Sequence, residues 1–177
     1  MLIRFGFMEN RIFPSGGLCF DYNVFGKPYL RNSDKFFNLS HAGQYIVAAV
    51  SSYEVGIDVE RINYQINLSS FDRVLSQSEK DSLLAASTAQ EAAVLFYQLW
   101  TLKESYIKFL GRSISNDISK YSFQIENDCI NFPTDSRLEF SQFSADEDHV
   151  CSICSAKKVK LEIKKVTEKV LFESCIA

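Results

Sequence analysis

The segment EVGIDVER, residues 54–61, is apolar at every second position. Read as a strand, it turns Val55, Ile57 and Val59 to one face and Gly56, Asp58 and Glu60 to the other. The second face is a glycine and two carboxylates spaced roughly 7 Å apart along the strand by the rise per residue. Two like charges on neighbouring same-side positions ask for a cation or basic groups to meet them.

Working outward, QYIVAAVS (residues 44–51) reads as a second strand, joined to the first by a short polar turn near Ser52–Glu54. Before it, FNLSHAG reads as a polar, glycine-containing break that offers the hydroxyl of Ser40 and the imidazole of His41. After Arg61 the period becomes helical. Ser76 with Glu79 makes a capping box ahead of KDSLLAA, and Thr88 with Glu91 makes another ahead of AAVLFYQLWTLKESYIKFL, with Gly111 as the stop. YSFQIEN, CINF, RLEFSQF, HVCSICS and LEIKKVT then read as short strands of a meandering antiparallel sheet. The class is α+β, short antiparallel sheets packed with a long helix, with a first half over 1–62 and a second over 63–177.

The chain has 177 residues, is 46% hydrophobic and carries fifteen phenylalanines, which predicts a real core and excludes disorder. A net charge of −3 argues against nucleic acid or an acidic membrane surface as a partner. No apolar run reaches the length of a membrane span, and MLIRFGFMENRIF meets charge too early for a signal peptide, so the cytoplasm is expected. Five cysteines (Cys19, Cys129, Cys151, Cys154, Cys175) at irregular spacing do not form a disulfide framework. Cys151 and Cys154 make a CxxC, but on a strand residues three apart face opposite ways, so buried thiols are expected rather than a metal or redox pair.

On the long helix, Leu95, Leu99, Leu102, Tyr106 and Leu110 form an apolar stripe, while Thr101, Glu104 and Lys108 share another face with Lys103 beside it. Alone, Glu104 and Lys108 are an i, i+4 ion pair worth a few tenths of a kcal/mol. With Asp58 and Glu60 they become three carboxylates, the hard oxygen set suited to Mg²⁺, with ammonium groups nearby for phosphate charge. Trp100 reads as core packing.

FGKPYL, FNLSHAGQYIVAAV, VGIDVE and LWTLKESYIKFLG, in that order, resemble the 4′-phosphopantetheinyl transferases of the surfactin-synthetase (Sfp) type. The family pattern of a GID-x-E strand followed by W-[ST]-x-KE-[AS]-x-x-K is met by Gly56, Ile57, Asp58 and Glu60, then Trp100, Thr101, Lys103, Glu104, Ser105 and Lys108. The resemblance implies Mg²⁺-dependent transfer of the phosphopantetheine arm of coenzyme A to a serine of an acyl or peptidyl carrier protein, releasing adenosine 3′,5′-bisphosphate. It implies that Asp58, Glu60 and Glu104 hold Mg²⁺ and that Lys103 and Lys108 face the phosphates. Lys108 and Glu104 would be the catalytic pair, Glu104 as candidate base. Ser40 and His41 match the phosphate-contacting segment, and Gly26, Lys27 and Pro28 the turn bordering the adenine.

The rival functions are a non-catalytic relative that binds coenzyme A or carrier protein, and an unrelated Mg²⁺ phosphotransferase. Retention of three carboxylates and both lysines speaks against the first, and the lack of a GxxxxGK[ST] loop against the second. Family members carry a longer segment before the GKP turn, where twenty-five residues precede Gly26 here. Arg4 and Arg11 are its only arginines, which leaves a compact variant, a dimer that covers the gap, or a fragment or degenerate copy open, with a weakened grip on the coenzyme's 3′-phosphate expected of a monomer. Phe5, Phe7, Phe13 and Phe20 are too few to cover the adjoining apolar surface, which predicts self-association into a homo-oligomer through that side.

Overall fold

The computed structural model describes residues 1–9, 18–31, 33–113, 118–127, 129–158 and 160–171; Arg11, Phe13 and Cys175 lie outside them. Helix α1 (Leu2–Glu9) precedes strands β1 (Phe20–Tyr22), β2 (Pro28–Leu30), β3 (Phe36–Ala42), β4 (Tyr45–Ser51) and β5 (Val55–Arg61). Helices α2 (Gln77–Leu84) and α3 (Ala89–Leu110) follow, then β6 (Gln124–Glu126), β7 (Cys129–Asn131), β8 (Glu139–Asp146) and β9 (His149–Ser155). The α+β class expected from the pattern is the one observed.

The central sheet has the order β5-β9-β8 and is antiparallel throughout, with Gly56 opposite Cys154, Asp58 opposite Ser152 and Glu60 opposite Val150. β5 comes from the first expected half and β8 and β9 from the second, so the sheet draws on both. The alternation of β5 sorts its faces as read. Val55, Ile57 and Val59 pack with Cys151, Ile153, Ala42, Val47, Ala49 and Phe143 beneath the β3–β4 hairpin. Gly56, Asp58 and Glu60 turn to α3.

Gly56 is where helix and strand meet. A Cβ there would lie 2.0 Å from the Ser105 carbonyl oxygen and 2.3 Å from the Phe109 nitrogen, so only glycine lets the α3 backbone rest on the strand. On that side of the sheet Leu99, Leu102, Tyr106 and Phe109 join Phe123, Phe132 and Cys154, with Leu95 and Leu110 partly buried at the margin. The expected stripe of α3 is the core stripe. Cys151 and Cys154 fall in different clusters on opposite faces, and burial pushes the Cys151 thiol up to about 12 and Cys154 upward too. They are inert core thiols.

Both helix starts follow the sequence, one completely. Ser76 and Glu79 form the reciprocal capping box of α2. Thr88 caps α3 by accepting from the Glu91 N–H, but the Glu91 carboxylate takes the N–H of Ser87, not that of the cap residue. Gly111, at φ 62°, ends α3 in the left-handed conformation glycine tolerates.

Three expectations need correction. FNLSHAG is not a break but most of β3, which pairs with β4 along its whole length, Phe36 opposite Ser51 to Ala42 opposite Tyr45. β4 and β5 are not a hairpin, because the outer partner of β5 is β9. The tail is not one meander: β6 and β7 form their own hairpin, and residues 161–167 (LEIKKVT) run without regular structure. At the N-terminal side, Ile3 and Phe7 of α1 seal the outer face of β3–β4 against Leu30, Phe37, Ala48 and Val50.

Candidate active site

β3, β5 and α3 enclose a cavity of about 340 Å³ lined by Leu39, Ser40, His41, Asp58, Glu60, Trp100, Glu104 and Lys108. Strand period two brings Asp58 and Glu60 to it from β5, and the one-turn spacing of α3 brings Trp100, Glu104 and Lys108. Ser40 reaches it because Asn38 and Ser40 share the β3 face turned to β5: Asn38 Oδ1 accepts from the Ile57 N–H at 2.8 Å, and Ser40 Oγ donates to Asp58 Oδ1 at 2.8 Å. Lys108 Nζ donates to Asp58 Oδ1 at 2.6 Å and to Ser40 Oγ at 2.7 Å. One serine, one aspartate and one lysine thus tie three elements together.

The charges are unbalanced, three carboxylates to one ammonium. Burial raises the Asp58 carboxyl above its usual range, against the pull of Lys108 and Ser40. Burial also raises Glu60, and the nearby Asp58 charge adds to it. Glu104 is pushed up to about 7, first by burial, then by the Asp58 carboxylate, with Lys108 opposing. Asp58 Oδ2 and Glu104 Oε1 are buried with no hydrogen-bond partner, aligned with a demand for a further cation.

That donor set fits Mg²⁺: hard carboxylate oxygens, unpartnered and in negative excess. It is not a closed cage. Among the described residues no three acidic, histidine or cysteine side chains close into a coordination shell. Asp58 Oδ1 is held by Lys108 and Ser40, and Glu60 Oε1 accepts from the Trp100 indole N–H at 3.2 Å. Mg²⁺ commonly takes only one or two carboxylates and completes its octahedron with water and phosphate oxygens.

Trp100 was missed by sequence reasoning, which saw only core packing. Its ring stacks near Phe96, yet its indole N–H orients Glu60. The signal was available: Trp100 lies one turn before Glu104 on the same face. Trp100→Phe is expected to keep the packing and, if Glu60 holds a metal, to lower kcat/KM roughly tenfold, the low end of losses for a group that orients such a ligand. Unchanged kinetics at subsaturating Mg²⁺ would remove Trp100 from the site.

Four expected site residues lie elsewhere. Lys103, next to Glu104, is rotated about 100° around the helix and buried on the far side. It pairs with Glu79 at 2.9 Å, both side chains fully buried, and also donates to the Tyr121 and Ile118 carbonyls. It faces no phosphate site. Gly26 and Lys27, in the connection from β1 to β2, and Pro28, the first residue of β2, lie outside the cavity, at the C-terminal end of α3. Asn23 Nδ2 donates to the Gly111 carbonyl at 2.7 Å, while Lys27 Nζ reaches the carbonyls of Phe109 at 3.1 Å and Val55 at 3.3 Å.

The cavity set between β5 and α3 is anionic and oxygen-rich, with one ammonium. Comparison with known proteins makes this specific. The model of the 4′-phosphopantetheinyl transferase superfamily matches residues 54–154, from the start of β5 to the end of β9. A 4′-phosphopantetheinyl transferase of Bacillus subtilis is 32% identical over 161 residues, 88% of this chain and 71% of that protein. The psf-1 4′-phosphopantetheinyl transferase of Bacillus pumilus is 31% identical over 167 residues, 92% of this chain and 71% of its own length. The L-aminoadipate-semialdehyde dehydrogenase-phosphopantetheinyl transferase of Saccharomyces cerevisiae is 38% identical over 117 residues, covering 60% of this chain and 42% of that one. The chain belongs to the 4′-phosphopantetheinyl transferase superfamily and is an enzyme of that class.

Proposed function

We propose that the chain transfers the 4′-phosphopantetheine arm of coenzyme A to a serine of an acyl or peptidyl carrier protein in the cytoplasm, with Mg²⁺, releasing adenosine 3′,5′-bisphosphate. The observation that carries this is the meeting of Ser40, Asp58, Glu60, Glu104 and Lys108 in one cavity. Asp58, Glu60 and Glu104 would hold the Mg²⁺, which supplies positive charge against the pyrophosphate. Ser40 and His41 offer a hydroxyl and an imidazole to its oxygens.

In the reaction the carrier serine oxygen bonds to the pantetheine-side phosphorus. The bond from that phosphorus to the bridging oxygen breaks, and the electron pair leaves with adenosine 3′,5′-bisphosphate. The serine proton needs an acceptor, and Glu104, a carboxylate in the same cavity, is the candidate, directly or through a water. Lys108, one turn further along α3, meets the charge that grows on the departing oxygen.

Mass spectrometry of an apo carrier protein incubated with the enzyme, coenzyme A and Mg²⁺ tests the reading. The gain of one phosphopantetheine is expected, and an unmodified carrier across acyl and peptidyl types would sink it. Lys108→Ala is expected to lower kcat by about 10²-fold, ~3 kcal/mol of transition-state stabilisation, with a smaller effect on coenzyme binding. A raised KM with unchanged kcat would assign Lys108 to ground-state binding instead.

A further inference from the structure

The β3–β4 hairpin is not laddered to the central sheet. The position of Ser40 and His41 relative to Asp58 and Glu60 therefore depends on side-chain contacts between the two. Asn38 and Ser40 supply two of them in mid-strand. The turn end of the hairpin is held by another residue, His149, the first of β9, which pairs with Arg61 just beyond Glu60.

His149 is 4% exposed. Its Nδ1 lies 2.8 Å from Asp146 Oδ1, which also accepts from the Asp148 N–H, so the imidazole is fixed as the Nδ1–H donor. The ring packs edge-on against Tyr45 at 4.8 Å, and Tyr45 is the hairpin residue paired with Ala42, next to His41. On its other side Nε2 is buried and unpartnered, and it faces Gly43. A Cβ at Gly43 would stand 3.0 Å from Nε2, and Gly43 has φ +56°, so the turn presses on the imidazole as closely as a glycine allows. A ring nitrogen buried with no partner is costly. An apolar residue of similar size would avoid that cost, but it would lose the Asp146 bond that fixes the ring.

We propose that His149 is a positioning residue for the transfer site: gripped by Asp146, it seats the β3–β4 turn through Gly43 and Tyr45 and so sets where Ser40 and His41 stand against β5. This rests on the function proposed above. Full-length wild type, His149→Ala, Gly43→Ala and the double variant are compared with coenzyme A, Mg²⁺ and an apo carrier protein, and by amide hydrogen exchange without substrate. His149→Ala is expected to raise the KM for coenzyme A about tenfold, a modest share of what an ångström of misplacement can cost. Its kcat should change much less, and exchange should speed up at residues 40–45 but not in α3. Gly43→Ala strains the turn in either background because Gly43 has φ +56°, but in the wild type it also strikes the imidazole, so its effect on KM should be smaller in His149→Ala than in the wild type. A wild-type KM in His149→Ala, or exchange that rises evenly over the whole chain, would overturn the proposal. If the wild type transfers nothing, the functional reading falls, and the local exchange pattern still decides whether His149 seats the turn.

Discussion

Asp58→Asn is expected to cut kcat/KM by at least about 10³-fold, since single electrostatic contacts to a transition state are worth roughly 10²–10³ and this one also orders its neighbours. The fold should survive. Asparagine has the same shape, and its oxygen can still accept from Ser40 and Lys108, the two groups now on Asp58 Oδ1. The substitution also removes a buried carboxylate that burial alone makes reluctant to ionise. Midpoints of urea unfolding should therefore match or exceed wild type in the absence of metal. Glu104→Gln is expected to behave alike. Stabilisation of the wild type by added Mg²⁺, read as a shift in the unfolding midpoint, should disappear in both variants. Wild-type turnover by Asp58→Asn at ordinary Mg²⁺ concentrations would dismiss the acidic cavity as the reaction centre.

The largest loss of stability is expected from Lys103→Met. Lys103 and Glu79 are both fully buried, and breaking such a pair from one side typically costs about 3–5 kcal/mol, because the remaining charge is left alone in the interior. Glu79 is heavily committed. Its carboxylate accepts from the Ser76 N–H at 2.7 Å and the Phe123 N–H at 3.0 Å, so it joins the start of α2 to the loop before β6. Burial lowers the Lys103 pKa, with Glu79 pulling the other way. The double variant Lys103→Met/Glu79→Leu should recover only part of the loss, since two N–H groups then lack their acceptor. A phosphate-contacting Lys103, as the family motif suggested, would give the reverse pattern of normal unfolding and impaired turnover. Urea titration of Lys103→Met beside its KM for coenzyme A separates the two.

Why the sequence misled at Lys103 is plain in physical terms. Adjacent residues on a helix point about 100° apart, so a motif written KE places its two members in different environments. The partner, Glu79, was already explained as the third residue of a capping box, and nothing local hinted that the same carboxylate reaches another helix. β3 was hidden for a different reason. Its polar text, Asn38, Ser40 and His41, looks like a break, yet Asn38 and Ser40 are strand residues whose side chains bond to β5. The pairing of β5 with β9 joins residues far apart in the chain, as Gly56 opposite Cys154 illustrates, and a short turn beside β4 was a more visible but wrong cue. Legible from the start were the features written in one period: the faces of β5, the stripe of α3, the stop at Gly111, and the Asp58, Glu60, Glu104 and Lys108 set.

Gly56 makes the spacing of the acidic groups a property of main chains. With no side chain between strand and helix, Asp58 and Glu104 hang from two backbones in direct contact, and their separation does not depend on how well the surrounding apolar residues fit. Either hydrophobic cluster can drift in composition, trading leucine for methionine or isoleucine for valine, without prising those two carboxylates apart. A methyl group at position 56 would act as a wedge. It would lift the helix from the strand near the point where the carboxylates of both are hung, so on the proposed function a chemically minor substitution would be felt first as lost turnover.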